Sequence, residues 1–310
     1  MNPALLLLAD SRLPAGGHAH SGGTEQAITS GAVSDVPSLA RFLRGRLHTT
    51  GALAATLTAA AHTHATTTPP QPTSSASTAA TEPAPGTALP GTGSGLAASP
   101  WVLLDAEVDA RTAAPAQRDA SRTQGRLLLR VARRVWPSPV LEELARAVPS
   151  PHHPIVLGAV AYAAGATAEE AAMAAAYHAI SGPATAAVRL LGLDPVAVHG
   201  LLAELTPDLT AIATEAHLAV TKARSTAGAD ADSTAHPAAA NADSPAHPAV
   251  ADTDSPVADT DSPARPGLTS QTPDPADPRP WLAALPAYSS PALDLLAEQH
   301  ARAEVRLFVS

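Results

Sequence analysis

Three groups of residues have types and spacings that could carry chemistry. The first is the stretch ADSRLPAGGHAHSGGTE over 9–25, where four glycines and Pro14 lie between an apolar run and a helix start. Backbone N–H groups of Ser21, Gly22 and Gly23 at a helix N-terminus could face an anion. The plain alternative is a glycine-dependent turn that packs a short first helix. The stretch lacks the Gly-Lys-Ser/Thr of a phosphate-binding loop and is no dinucleotide fingerprint. The second group is the histidines. His18/His20 and His62/His64 form H-x-H pairs, and His152 and His153 are adjacent. A Zn or Ni site needs three or four ligands, so each pair reads either as part of a site or as ordinary core and surface histidine. The third group is an arginine ladder, Arg118, Arg122, Arg126 and Arg130, followed by Arg133 and Arg134. Steps of four advance about 40° around a helix, so the side chains make one basic stripe. Only Asp119 lies near in sequence to neutralise it. The stripe reads as a solvated face, as a docking face for an acidic partner, or as a nucleic-acid contact. The last lacks a recognised motif and a basic chain around it.

Little supports catalysis. Ser11, Ser21 and Ser181 have no G-x-S-x-G elbow. Glu142/Glu143 and Glu169/Glu170 sit at helix starts, where the macrodipole accounts for them. The absence of cysteine removes disulfides, thiolate ligands and cysteine nucleophiles. The chain reads as no enzyme, with no metal site and no cofactor of its own.

The elements that must position these residues read as helices. Apolar positions recur at helical spacing over 37–62, 115–135, 139–148, 153–165 and 291–304, several opened by proline. Thr167 and Glu170 have capping-box spacing. Asp194-Pro195 and Thr206-Pro207 each set a capping side chain before a proline at the first helical position. Apolar residues make up 45% of the chain but aromatics only 3%, so the core must be Ala, Leu and Val, which favours helices over sheet. Two segments cannot join that core. Residues 66–98 are mostly Thr, Pro, Ser, Ala and Gly, with almost no large apolar residue. Residues 226–280 repeat AHPA and VADTDSP and hold Asp230, Asp232, Asp243, Asp252, Asp254, Asp259, Asp261, Asp274 and Asp277 against Arg265 and Arg279. That segment carries −7 of the chain's −9, so the acidic balance belongs to an insert rather than to the folded surface. Such compositions bury too little surface to offset ordering entropy, and loop-closure cost grows slowly enough for a core to tolerate them. The expectation is an all-α fold. It is a single helical-bundle domain over 1–310 of about ten helices, interrupted by disordered low-complexity inserts at 66–98 and 226–280. The N-terminal MNPALLLLAD has no basic region and its apolar run stops at Asp10, so neither a signal peptide nor a membrane span is expected, and the chain reads as cytoplasmic.

Four landmarks in order resemble the UreF family of urease accessory proteins. The first is Ser11, Leu13, Pro14, Gly16, His18, His20, Ser21, Gly23 and Glu25, matching a signature S-x-L-P-x-G-x-[FHY]-x-[HY]-S-x-G-x-E after an apolar run, with Gly17 in the same turn. The second is Ser121, Gln124, Gly125, Leu128 and Leu129, similar to a mid-chain S-x-x-Q-G-x-x-L-L helix. The third is SGPATAAVRLLGLD at 181–194. The fourth is Leu293, Asp294, His300, Arg306, Leu307, Phe308 and Ser310 at the C-terminus. His18 stands where an aromatic is commoner and Thr24 where Leu is usual, and the two inserts are not general features of the family. The resemblance implies an all-helical, dimerising adaptor. It would complex with UreD (UreH in some species), recruit the GTPase UreG, and deliver nickel to apo-urease, with nickel handled by the complex. It further implies Arg306, Leu307, Phe308 and Ser310 as contacts to UreD. The glycine turn and Arg118, Arg122, Arg126 and Arg130 become candidates for the GTPase face. Two rival readings are a His-based nickel-binding protein or metalloenzyme, and a nucleic-acid binder using the arginine face.

Overall fold

The structure is a computed structural model that describes residues 2–10, 13, 21–67, 99–234 and 278–303. Among these residues there are thirteen α-helices, one π-helical turn and no strand. The helices are α1 (Ala4–Ala9), α2 (Thr24–Thr29), α3 (Val36–Arg46), α4 (Ala52–Thr67), α5 (Pro100–Arg111), α6 (Pro115–Val135), α7 (Pro139–Ala147), α8 (His153–Ala163), α9 (Ala168–Leu191), α10 (Pro195–Glu204), α11 (Thr206–Thr234), α12 (Arg279–Ala283) and α13 (Pro291–Arg302). The expected all-α class holds, with more helices than the ten anticipated.

Local chemistry explains most boundaries. Asp35 caps α3 by accepting from the Ser38 N–H at 2.8 Å, and the Ser38 hydroxyl accepts from the Asp35 N–H at 3.0 Å. Thr167 and Glu170 form the expected capping box at 3.2 and 3.0 Å. The same Glu170 carboxylate accepts from the Asn2 N–H at 2.9 Å and so holds α1 against the start of α9. Asp194 caps α10 through the Val196 N–H at 3.0 Å. At its other end α9 stops at Gly192 in the left-handed conformation, φ 64°.

The structure adds to the sequence reading at three points. The helix expected over 37–62 is α3 and α4 joined through the π turn Leu47–Gly51, one extra residue's worth of slack inside a continuous helical run. Within the segment expected as an insert over 226–280, α11 carries helix through Thr234 and α12 starts at Arg279. Helix α5 had no counterpart in the sequence reading, although Trp101 and Leu104 are fully buried in it. The remainder of both expected inserts, 68–98 and 235–277, lies outside the described residues.

The core is one continuous cluster centred on α4, α8, α9 and α11. Helix α4 is buried on nearly every position from Ala52 to Ala65 and α8 on every position from Pro154 to Ala161, so both run through the interior. Their backbones nearly touch. A Cβ at Gly158 would lie 2.4 Å from the Thr58 carbonyl oxygen and 2.8 Å from the His62 nitrogen. The Thr58 hydroxyl spans the crossing to the Pro154 carbonyl at 3.2 Å. Alanine makes this approach possible on α4 and glycine on α8.

Gly125 on α6 has the same role against the α7–α8 connection, where an added Cβ would sit 2.0 Å from the Pro151 carbonyl oxygen. Because the obstacle in both cases is backbone, Gly125→Ala and Gly158→Ala are each expected to cost about 2 kcal/mol or more. Gly45→Ala on α3, with nothing within 4 Å, should be neutral or slightly stabilising. Urea unfolding checks all three. Equal small effects at the three positions would refute the close-approach account.

Candidate functional site

The four sequence landmarks, far apart along the chain, meet around one cavity of about 730 Å³. Leu13, Gly22 and Gly23 line it from the first landmark, and Ser121 and Gln124 from the second. Ser181, Gly182 and Pro183 come from the third, and Leu293, Asp294 and His300 from the fourth. Arg46, Tyr177 and His178 add to the wall.

Arg46 connects these parts. Pro183 lies inside α9 and has no N–H, so the carbonyl of Ala179, four residues earlier, lacks its regular helical donor. The Arg46 Nε donates to that carbonyl at 2.7 Å, and its Nη1 donates to the Gly22 carbonyl at 2.7 Å. One guanidinium thereby ties the glycine turn to the proline break in α9. Burial pulls its pKa down to about 10, which still leaves it charged at neutral pH. Gly22 and Gly23 are both left-handed, φ 59° and 84°, and a Cβ at Gly22 would fall 2.9 Å from the Arg46 guanidinium and 3.0 Å from the Pro183 ring. The glycine turn therefore serves close packing where it is described. Ser21 is fully buried in it, and its hydroxyl has no hydrogen-bond partner among the described residues.

Helix α13 closes the other side. Its Glu298 accepts from the Ala116 N–H at 2.9 Å and its Asp294 accepts from the Gln117 side chain at 3.1 Å, which satisfies the start of α6. His300 lies 3.6 Å from Glu25 on α2, so a residue of the first landmark meets one of the fourth. Pro14, Gly16, Gly17, His18, His20, Arg306, Leu307, Phe308 and Ser310 lie outside the described residues.

The arginine ladder divides in two. Arg122 turns inward between Asp105 at 2.9 Å and Asp109 at 2.5 Å, and donates to the Ser150 carbonyl at 2.5 Å. Arg118 donates to the carbonyls of Thr112 and Ala113 at 2.6 and 3.0 Å. Asp119 is thus not the nearby acid that matters: the expected uniform stripe is neutralised at this end by two carboxylates of α5. Arg126 bonds Ser150 and Thr123, while Arg130, Arg133 and Arg134 stay exposed. The acid pair, four residues apart on one helix face, was present in WVLLDAEVDAR. It was missed because α5 itself was missed. Arg46 gave no local signal, since its partner at Ala179 is 133 residues away.

His152 belongs to the same network. It is fully buried, its N–H donates to Asp105 at 2.7 Å and its Nε2 lies 2.9 Å from Asp109. The adjacent His153 donates its backbone N–H to Ser121 at 3.2 Å, which gives the serine of the second landmark its place. Asp105, Asp109 and His152 are the one group of three possible metal donors among the described residues, with donor atoms within 4.8 Å of one another. Both carboxylates already hold the Arg122 guanidinium, which supplies the positive charge there. Burial opposes the charge on Arg122, but Asp105 and Asp109 outweigh it and raise its pKa above the ordinary value. His62 and His64 are buried at the end of α4, His62 with its Nε2 2.7 Å from the Ala166 carbonyl and His64 edge-on to Trp101.

Fold and site together define an all-helical protein whose recurrent motifs knit one cavity by side-chain-to-backbone bonds. The comparisons with known proteins give it a family. A family model described as UreF matches residues 33–206. The chain is 44% identical over 214 residues to the urease accessory protein UreF of Mycobacterium sp. (strain JLS), covering 68% of this chain and 84% of that one. It is 40% identical to that of Mycolicibacterium vanbaalenii, over 66% of this chain and 79% of the relative. With the one from Mycobacterium tuberculosis (strain ATCC 25618 / H37Rv) it shares 41% identity, over 68% of this chain and 83% of the relative. The chain belongs to the UreF family of urease accessory proteins.

The buried histidines give a pH dependence with a definite sign. Burial lowers the pKa of His62, His64 and His152, that of His64 to about 4. The unfolded chain takes up protons near the ordinary value of 6.5 while the folded chain does not. Stability is therefore complete above that pH and falls below it, by up to about 1.4 kcal/mol per pH unit for each such group. The melting temperature should drop between pH 7 and pH 5, with a shallower slope in His64→Gln. A flat profile would contradict the burial of these neutral rings.

Proposed function

We propose that this chain is an adaptor in urease maturation. It complexes with UreD (UreH), recruits the GTPase UreG and passes nickel to apo-urease, itself performing no catalysis and holding no cofactor of its own. The whole chain, 1–310, acts as one helical domain with two inserts, works in the cytoplasm, and forms a dimer within the complex. The observation that carries this reading is its likeness to urease accessory proteins at 40–44% identity. Leu6, Leu7 and Leu295 support it from the surface. They are 67%, 54% and 63% exposed on α1 and α13, two helices that also wall the cavity. Leucines this exposed on two helices that wall one cavity favour a partner surface. Among the described residues no single helix is long and apolar enough to cross a membrane, although the bent pair α10–α11 passes by length and composition.

In this reading Arg306, Leu307, Phe308 and Ser310 contact UreD, and the glycine turn with the exposed part of the arginine ladder faces the GTPase. Phe308 is one of two phenylalanines in the chain, and a terminal aromatic beside Arg306 has the composition of an interface anchor. Co-expression of the tagged chain with the UreD-type protein of the same organism should yield a stable complex that captures the GTPase. Phe308→Ala should weaken the UreD complex by about 2 kcal/mol or more, roughly 30-fold. A folded chain that purifies alone from this co-expression would overturn the adaptor reading. Unchanged affinity in Phe308→Ala would overturn only the assignment of the tail.

A further inference from the structure

The exposed half of the arginine ladder lines an open cleft of about 560 Å³ between α6 and α7. Arg126, Arg130, Arg133 and Arg134 supply four positive charges there, and Glu142 the one acid in its lining. Glu142 is already bonded to Arg133. Arg130 and Arg134 make no hydrogen bond or ion pair among the described residues. Leu129, Ala145 and Pro149 give the cleft a shallow apolar floor. Such a surface fits an extended acidic polypeptide with small apolar residues between its charges.

The chain contains one. Residues 235–277 hold Asp243, Asp252, Asp254, Asp259, Asp261, Asp274 and Asp277 against Arg265 alone, a net charge of −6, with Ala, Val and Pro interspersed. The segment is anchored at both ends, by α11 ending at Thr234 and by α12 beginning at Arg279. Fully extended, 43 residues span about 140 Å, so a loop tethered at both ends can extend up to about 70 Å from its anchors. The radius of gyration of a helical domain of roughly 220 residues is about 17 Å, so the cleft lies within reach. Tethering puts the aspartates at an effective concentration on the order of millimolar.

We propose that the acidic segment 235–277 docks within the same molecule on the arginine cleft between α6 and α7. The contact is electrostatic, with aspartates against Arg130 and Arg134 and the small apolar residues on the Leu129 floor. Docking covers part of the face assigned above to the GTPase, yet the contact itself needs no partner and stands apart from the adaptor reading.

The chain has no cysteine, so two introduced ones can be labelled cleanly. Val135→Cys marks the end of α6 beside the cleft and is 50% exposed, and Ala258→Cys marks the middle of the acidic segment. Energy transfer is measured on the full chain at salt concentrations between about 20 mM and 0.5 M, across which screening of exposed charges becomes nearly complete. Docking requires transfer to be high at low salt and to fall at least about two-fold as salt is added. In Arg130→Glu/Arg134→Glu, and in Asp252→Asn/Asp254→Asn/Asp259→Asn/Asp261→Asn, it should already be low at low salt. The second variant leaves the helical core untouched, so the test survives if the first fails to fold. An undocked acidic chain repels itself and contracts as salt is added, so transfer that stays level or rises with salt would overturn the proposal. Transfer that disappears when labelled chain is diluted into excess unlabelled chain would overturn it too, since the contact would then join separate copies.

Discussion

The Arg46 guanidinium bonded to the Ala179 carbonyl is the contact on which the rest of the site depends. A proline inside a long helix removes one hydrogen bond and leaves a carbonyl that burial would make costly. Arg46 supplies the missing donor from α3 and, with its remaining N–H groups, seizes the Gly22 carbonyl of the first landmark. The left-handed glycines, the proline of the third landmark and the last residue of α3 thus form one unit. None of the three makes physical sense alone. The π turn that follows Arg46 belongs to the same arrangement. It brings Gly51 against α9, where an added Cβ would meet Ala179 at 3.3 Å.

Around that unit the fold relies on close backbone approach rather than on large side chains. With aromatics at 3% of the chain, shape complementarity comes from alanine and glycine at helix crossings. Gly158 lets α8 lie on α4, and Gly125 lets α6 lie on the connection before α8. The Arg122 network sits beside the second crossing and fixes it electrostatically. Asp105 and Asp109 reach from α5, Arg122 from α6, and His152 and Ser150 from the connection. Ser121 and Gly125 of the second landmark, one turn apart on α6, both face that connection. The motif is therefore a packing device that sets the wall of the cavity.

Much of the helical framework was legible in the sequence because its signals are local. The Thr167–Glu170 box, the Asp194 cap and the Pro115 and Pro291 starts all fall where side chains within three residues decide the outcome. What was not legible depends on distant partners. Helix α5 follows a low-complexity stretch, and its Asp105 and Asp109 gain meaning only when Arg122 lies across them. The arginine ladder has perfect helical spacing, yet spacing cannot say which member turns inward. Nothing near residue 46 announces a carbonyl left open at 179. The four landmarks were visible as a resemblance, whereas their convergence on one cavity became visible only once the chain was folded.

The central claim is that Arg46 stands in for the hydrogen bond that Pro183 cannot make. A double-mutant cycle with Arg46→Ala and Pro183→Ala, read by urea unfolding, tests it directly, because replacing the proline by alanine restores an N–H that can reach the Ala179 carbonyl. Removing Arg46 from the natural sequence leaves that carbonyl unsatisfied, and the cost should be about 2–3 kcal/mol. In the Pro183→Ala background the same change should cost at least about 1 kcal/mol less. Effects that add to within about 0.5 kcal/mol would mean that the two residues act independently, and would contradict the claim.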